Sequence, residues 1–318
     1  MTQSTAGYTV PLAQVVEAGF PVFSRASKIT VGPVEINNMG EQSGLDVEFT
    51  IKRTLKAKSP NHGDLKIWNL SAASLAALGM PAQKTTVTSA PPSGSGASAT
   101  PVSVIPVQID AGYVGHTSTI FAGFMRSAQS VTDGPDVVTE LNTGDGDVAL
   151  ELQRISKGFQ AGSTPSQVVG ALLDAMGIGQ GNLAAVASVF AEWSAFLGGT
   201  VIKGNPACLL ADICASVGVE FSIQNGTAQF LPIGKPLAGP AYLLSSGTGL
   251  VGTPTVDTTG LCSFTSFILP GLLPGAPVQI QSVFVSGLFR IVSVEFTGNT
   301  RGNEWYAKCE AQSYGGAP

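Results

Sequence analysis

The side chains best suited to proton transfer near neutral pH are two histidines, His62 and His116, and both lie in glycine-rich stretches that read as surface turns. No Gly-x-Ser-x-Gly nucleophile elbow accompanies them. Cys208, Cys214, Cys262 and Cys309 show neither a Cys-x-x-Cys pair nor a nearby histidine. Metal-ligand spacing is therefore absent, and the expectation is four free, buried thiols in a reducing compartment. Gly247-Thr248-Gly249-Leu250-Val251-Gly252 matches Gly-x-Gly-x-x-Gly and follows a strand, but a phosphate-binding loop must open a helix, and Thr253-Pro254-Thr255 continues in β style. A β-bend is the preferred reading. Gly144-Asp145-Gly146-Asp147 resembles half of a calcium loop, yet Ala149 falls where a ligand is needed, so a tight turn suffices.

Asp46 and Glu48 share one face of a strand, the placement of a glycosidase dyad, but a solvated strand face is the better explanation. Asn69-Leu70-Ser71 and Asn225-Gly226-Thr227 fit the glycosylation pattern. The segment Met1 to Ser24 contains no Lys or Arg, which disfavours a secretory signal and makes both matches chance. No catalytic, cofactor-binding or metal-binding residue is assigned, no cofactor is expected, and the chain reads as a non-enzyme.

Composition points the same way. Of 318 residues, 44% are hydrophobic and only 12% charged, against roughly 25% charged in an ordinary soluble domain. Sparse charge predicts that something other than water covers part of the surface. The net charge of −5, with no run of Lys and Arg able to neutralise a row of phosphates, makes nucleic acid a poor candidate for a stable partner. The 39 glycines and 20 prolines predict many turns and hence many strands.

The elements follow from periodicity. Val22 to Val31 reads as a strand, and so does Leu45 to Leu55, where Leu45, Val47, Phe49 and Ile51 alternate with Asp46, Glu48, Thr50 and Lys52. The turn-rich Ser59 to Gly63 then leads into Asp64 to Leu70, completing a hairpin, and Ser71 caps a short helix ending near Gly79. Ser89 to Pro101 has no large apolar side chain and reads as a flexible loop. Strand pattern returns over Val102 to Ala111, demoted to an edge or bulge by Pro106, and over Thr119 to Met125.

Three helices come next. Thr164-Pro165-Ser166-Gln167 is a capping box opening a helix that Gly177 stops. Leu183, Val186, Phe190, Trp193 and Leu197 mark a second, a core helix rather than a membrane span despite the apolar run to Ile202. Asn205-Pro206 starts a third, ending at Gly218. Val219 to Gln224 and Thr227 to Leu231 flank Asn225-Gly226, a strong hairpin signal. From Gly234 onward the chain is strand and turn. The expected fold is mainly β with an inserted α/β block: residues 1–145 a first β domain with a flexible loop at 89–101, residues 146–233 an α/β domain of three helices and a hairpin, and residues 234–318 a second β domain.

Specific residues resemble the central hub proteins of contractile phage baseplates and related injection machines. Leu45 to Ile51, then Asn61 and Ile67-Trp68-Asn69-Leu70-Ser71, resemble that family's first hairpin, with Trp68 in the aromatic position. Ala111-Gly112-Tyr113 and Ile120-Phe121-Ala122-Gly123 are similar to its next strand pair. Gly144 to Asp147 and Gly162-Ser163-Thr164-Pro165 resemble the entry to its inserted α/β domain. Leu269 to Gly275, Phe289-Arg290-Ile291-Val292 and Gly298 to Trp305 are similar to its closing strands, with Asn299 replacing the usual acidic residue. The resemblance implies a homotrimer of two tube-like β-barrels per subunit. Such a trimer presents a pseudo-hexameric ring to the six-fold tail tube, contacts a central spike and adjacent baseplate proteins, and leaves a bore for DNA in transit, with no stable membrane association. The implied location is the virion tail baseplate, assembled in the host cytoplasm.

Two other classes stay open at this level. A β-rich tail-tip adhesin would share the acidic, charge-poor composition. A peptidoglycan-binding or degrading tail component would need an acidic pair on the α/β block, where Glu192 and Asp212 are the available carboxylates.

Overall fold

The computed structural model describes residues 15–16, 24–39, 44–57, 59–79, 105–191 and 199–314. The 89–101 segment lies outside them, as do Val22 and Phe23 of the first expected strand. The first β region contains β1 (Val15–Val16), β2 (Arg25–Val31), β3 (Val34–Met39), β4 (Val47–Thr54), β5 (Asn61–Trp68), β6 (Pro106–Tyr113), β7 (His116–Asp133) and β8 (Asp136–Asp145), with α1 (Ala72–Ala77) after β5. Ser71 caps α1 as its type predicts, its side chain accepting from the Ser74 amide.

The α/β block follows: a π-helical turn at Val148–Leu152, β9 (Ile155–Phe159), α2 (Pro165–Met176), a 3₁₀ turn at Leu183–Val186, α3 (Ala187–Ala191), β10 (Thr200–Gly204), α4 (Pro206–Ser216), β11 (Val219–Gln224) and β12 (Thr227–Pro232). Both helix starts are built as read. Thr164 and Gln167 form a reciprocal capping box, and Asn205 accepts from the amides of Ala207 and Cys208. The last strands are β13 (Ala241–Leu244), β14 (Leu250–Val256), β15 (Leu261–Phe267), β16 (Pro277–Gln281), β17 (Ser286–Asn299) and β18 (Trp305–Ser313).

Three expectations need correction. Asn61, His62 and Gly63 belong to β5, because their backbone pairs in register with β8 as far as Asp145, so the turn is shorter than its residue types suggest. β6 is an interior strand between β2 and β7: Pro106 is tolerated as its first residue, and the bulge falls at Ile109/Asp110 instead. The helix expected from Leu183 to Leu197 begins as a 3₁₀ turn and runs as α3 only to Ala191, residues 192–198 lying outside the described part.

The expected pair of closed barrels is not what the ladders form. Fourteen strands make one sheet whose main path runs β1-β13-β16-β17-β4-β5-β8-β7-β6-β2-β3, with β18, β15 and β14 branching from β17; among the described residues no path closes on itself. The reason lies in β17, which pairs with β18 along one edge and divides the other. Ser286 to Arg290 pair with β16, and Ser293 to Asn299 pair with β4. A register shift in its ladder with β18 between Ile291 and Ser293 marks the change of partner. The two β regions thus share one strand.

Two apolar cores result. One draws on both β regions, from Ile29 to Ala311, and the other lies within the α/β block, from Ala149 to Phe230. On the core face Leu141, Leu65, Phe49, Gly298 and Trp305 fall in one cross-strand row. Gly298 leaves room there for the Phe49 ring, which meets Trp305 edge-on at 5.5 Å; a Cβ at 298 would collide with that ring. The sheet curls enough for β2 and β6 to reach this row. The Trp305 indole donates to the Gly112 carbonyl at 3.2 Å, and Arg25 donates to the carbonyls of Gly302 (2.6 Å) and Asn303 (3.0 Å) while lying 5.7 Å from the Trp305 ring.

Candidate functional site

Residues singled out by type are dispersed and mostly engaged. His62 is half-buried on the polar face of β5, a correction to its placement in a turn, and His116 begins β7 beside the Val114-Gly115 turn. Asp46 accepts from the Thr300 hydroxyl at 3.0 Å, and Glu48 faces Lys66 at 4.0 Å, so this pair forms cross-strand bonds. The Gly247–Gly252 segment leads into β14 and not into a helix. Asn69 donates to Asp136 and accepts from the Val137 amide, and the Asn225 side-chain carbonyl accepts from the Ala122 amide, so both side chains are engaged internally. Asp212 is exposed on α4, and Glu192 lies outside the described residues. Among the described residues no group of three or more His, Cys, Asp or Glu could hold a metal ion. Cys214, Cys262 and Cys309 are buried, but Cys208 is only partly so, and none is disulfide-bonded.

What the fold does concentrate is buried charge, at the seam between the sheet and the α/β block. Arg53 continues the apolar phase of β4 after Val47, Phe49 and Ile51, so the pleat turns its guanidinium inward. It is buried and donates to the Ile120 carbonyl at 2.7 Å and twice to Gln224 Oε1, at 3.0 and 3.2 Å. Gln224 returns a donor to the Thr54 carbonyl at 2.8 Å. Asn61 accepts from the Thr54 amide and donates to Asp145 and to the Ile223 carbonyl.

Asp145 completes the joint. The tip of the β11–β12 hairpin has Asn225 at φ 52° and Gly226 at φ 72°, the left-handed pair a two-residue turn requires. Both amides therefore point outward from the hairpin and donate to Asp145, at 2.7 and 2.8 Å. Next to it Arg126 pairs with Asp147, its Nε at 2.6 Å, and passes over Gly144 so closely that any Cβ there would clash. The Gly-Asp-Gly-Asp segment thus receives a hairpin tip and an arginine. Burial drives the Asp145 carboxyl above the usual carboxylate range, opposed by the bonds from Gly226, Asn61 and Asn225 and by the charge of Arg53. Burial likewise pulls the Arg53 guanidinium down to about 10, opposed by Asp145.

The other end of the same hairpin is fastened to the second β region. Glu220 of β11 pairs with Arg290 of β17, which also donates to Gln312 at 3.2 Å and to the Lys235 carbonyl at 3.3 Å. One six-residue strand, β11, is therefore clamped at Glu220 to one β region and at Gln224 to the other.

The outer face of the sheet has a different character. His62, Lys52, Glu295 and Lys308 lie in register across β5, β4, β17 and β18, Lys52 meeting Glu295 at 3.1 Å. Together with Glu310, whose carboxylate accepts from Ser293 at 2.7 Å, they line a shallow cleft of about 740 Å³ that crosses from one β region to the other.

The sequence reading missed Arg53, Arg290, Gln224 and the role of Asp145. A signal existed for Arg53, a charge placed on the apolar phase of an alternating strand. None existed for Gln224 or Glu220, whose arginine partners are at least 70 residues away in sequence.

No protein-family model matches the chain, and no curated protein matches it in sequence. Solved structures do. The 43 kDa tail protein of prophage MuSo2 from Shewanella oneidensis aligns over 92% of this chain and 98% of its own, with TM-score 0.56 and 11% identity. A tail protein from Neisseria meningitidis MC58 aligns over 92% and 97%, with TM-score 0.55 and 12% identity. A type VI secretion component from E. coli, described as structurally similar to the T4 bacteriophage tail proteins gp27 and gp5, aligns over 91% and 77%, with TM-score 0.52 and 11% identity. At this level of identity the likeness is one of architecture, and the chain has the fold of phage tail proteins.

Proposed function

We propose that this chain is a structural subunit of a contractile tail: a homotrimeric hub that joins the six-fold tube to the three-fold spike and leaves a bore through which DNA passes. The observation that carries the reading is the fold likeness to the Shewanella tail protein, which spans 92% of this chain and 98% of that one. Several features support it. The shared strand β17 makes the two β regions mechanically continuous, and the clamps at Arg53 and Arg290 fix the α/β block to both. Such a subunit transmits load as a unit, as a connector must. Its work is geometric and not chemical, which agrees with polar groups consumed in internal bonds. The outer face around Lys52, Glu295 and Lys308 mixes both signs of charge, a surface that would not hold a passing polyanion. Residence in the virion tail baseplate, assembly in the host cytoplasm, and contacts with tube, spike and neighbouring baseplate proteins belong to the same reading.

The test is the mass of the purified full chain at tens of micromolar, with its symmetry imaged by negative-stain microscopy. The expected particle is a three-copy ring with an open centre. A folded monomer that stays monomeric over this range would overturn the hub.

A further inference from the structure

The sequence contains one Asn-Gly dipeptide, Asn225-Gly226, and it forms the half-buried tip of the β11–β12 hairpin. Glycine has no side chain to hinder approach to its own amide nitrogen, so this pair is prone to an intramolecular reaction. The Gly226 amide nitrogen gives up its proton to hydroxide and attacks the Asn225 side-chain carbon Cγ. The Cγ–Nδ2 bond breaks, ammonia leaves, and a five-membered succinimide ring joins side chain to main chain. Water then opens the ring at either carbonyl, giving aspartate or, more often, isoaspartate, whose main chain runs through the former side-chain carbon. Nothing is oxidised or reduced.

The seam holds the reacting atoms apart. The Gly226 amide donates to Asp145 Oδ1 at 2.8 Å, which keeps that nitrogen turned toward β8. The Asn225 side-chain carbonyl accepts from the Ala122 amide at 3.0 Å, which keeps Cγ stretched toward β7. The tip is pinned further by the Asn225 amide, which donates to Asp145 at 2.7 Å, and by the Gly226 carbonyl, which accepts from the Gly179 amide at 3.1 Å. Ring closure needs the side chain to fold back onto the Gly226 nitrogen. That movement breaks the bond to Ala122 and turns the amide away from Asp145, so the tip must first lift off the sheet.

We propose that Asn225 is a self-modifying site gated by the seam: the succinimide forms only when the hairpin tip opens, and the isoaspartate product prevents the tip from closing again. The second half follows from the turn. Asp145 binds two consecutive amides that residues 225 and 226 present from left-handed conformations, at φ 52° and 72°. Isoaspartate inserts one more carbon between those two amides, so they no longer match the two oxygens of one carboxylate. A buried carboxylate then loses a donor it needs. Opening of the seam becomes one-way. The inference concerns the single subunit and does not rest on the hub reading.

The test is peptide mass mapping of the full chain during incubation in mildly alkaline buffer, native and in denaturing urea. Deamidation at Asn225 should run about a hundredfold slower in the native chain, two bonds to the tip, one of them to a carboxylate, each contributing about tenfold. Arg53→Met should fall between the two rates; should that variant fail to fold, wild type in urea below its unfolding transition takes its place, and its rate should rise with amide exchange of the hairpin. A native rate within about threefold of the denatured one overturns the gate. So does a native rate above the denatured one, which would mark Asp145 as a base acting on the Gly226 amide. For the latch, chain deamidated in urea and then refolded should show raised exchange in Val219–Pro232 with β4, β5 and β17 still protected. Asn225→Gly, which keeps a left-handed turn residue without a side-chain amide, should exchange alike before and after the same treatment. Refolded isoaspartate chain that exchanges like untreated wild type overturns the latch.

Discussion

Replacing Arg53 by methionine tests the seam most directly. The substitution keeps an apolar stem in the strand and removes a guanidinium that makes three donor contacts from a position only 2% exposed. The Ile120 carbonyl loses a 2.7 Å partner, Gln224 Oε1 keeps only Asn61, and Asp145 loses the positive charge that opposes its burial. Leaving buried acceptors without their donor costs about 1–3 kcal/mol each. Against a typical stability of about 5–15 kcal/mol that is a large fraction. The loss should be local first. Amide exchange ought to rise in Val219–Pro232 and near Ala122, where the hairpin tip meets the sheet, before it rises in β4, β5 or β17. The charges of Arg53 and Asp145 each oppose the effect of burial on the other. The double variant Arg53→Met with Asp145→Asn should therefore lose less than the two single variants together. Urea unfolding read alongside hydrogen exchange measures both effects. A loss below about 1 kcal/mol with unchanged exchange in the hairpin would refute the clamp.

Two further outcomes follow. Asp145 titrates above the usual aspartate range in the folded chain, so the folded state holds the extra proton between the ordinary value and the raised one. Its contribution to stability is present below the ordinary value and is lost as pH rises through the raised one; Asp145→Asn should remove this slope from a urea series across mildly acidic pH, and a wild type stabilised by rising pH relative to the variant would contradict the assignment. Burial pushes the thiols of Cys214 to about 12 and Cys262 to about 11, and Cys309 upward as well. An aromatic disulfide reagent at neutral pH should accordingly modify only the partly buried Cys208 in the native chain and all four cysteines in denaturant; native Cys309 reacting as fast as Cys208 would contradict the packing.

Local patterns were the legible part of the fold. The strand alternation in Val47–Thr54, the capping box at Thr164, the Asn205-Pro206 start and the Asn225-Gly226 turn each depend on a few adjacent residues, and each forms as read. Pairing over distance was not legible. That β17 divides one edge between β16 and β4 depends on a register shift near Val292 that no residue type announces. The pair of barrels that the resemblance implies is not found closed among the described residues, and alternation could not have tested it, because it shows which residues face a core and is silent on which strands share it. Residues 59–63 failed for a related reason: turn-forming types at Asn61 and Gly63 were overridden by pairing with β8, where Asn61 has a buried role that its type alone does not reveal.

The seam also bears on how titratable groups should be read. A buried carboxylate displaced upward beside a buried arginine displaced downward is the pattern that flags an active site. Here each member is accounted for by fixed partners: Asp145 by two turn amides and Asn61, Arg53 by Gln224 and a main-chain carbonyl. Chemistry requires a group that a substrate can meet, and both of these are buried against their partners. In this chain these charges, like Arg290 with Glu220, hold the subunit together, so the pattern of satisfaction, and not the size of any pKa shift, separates internal mortar from a reactive group.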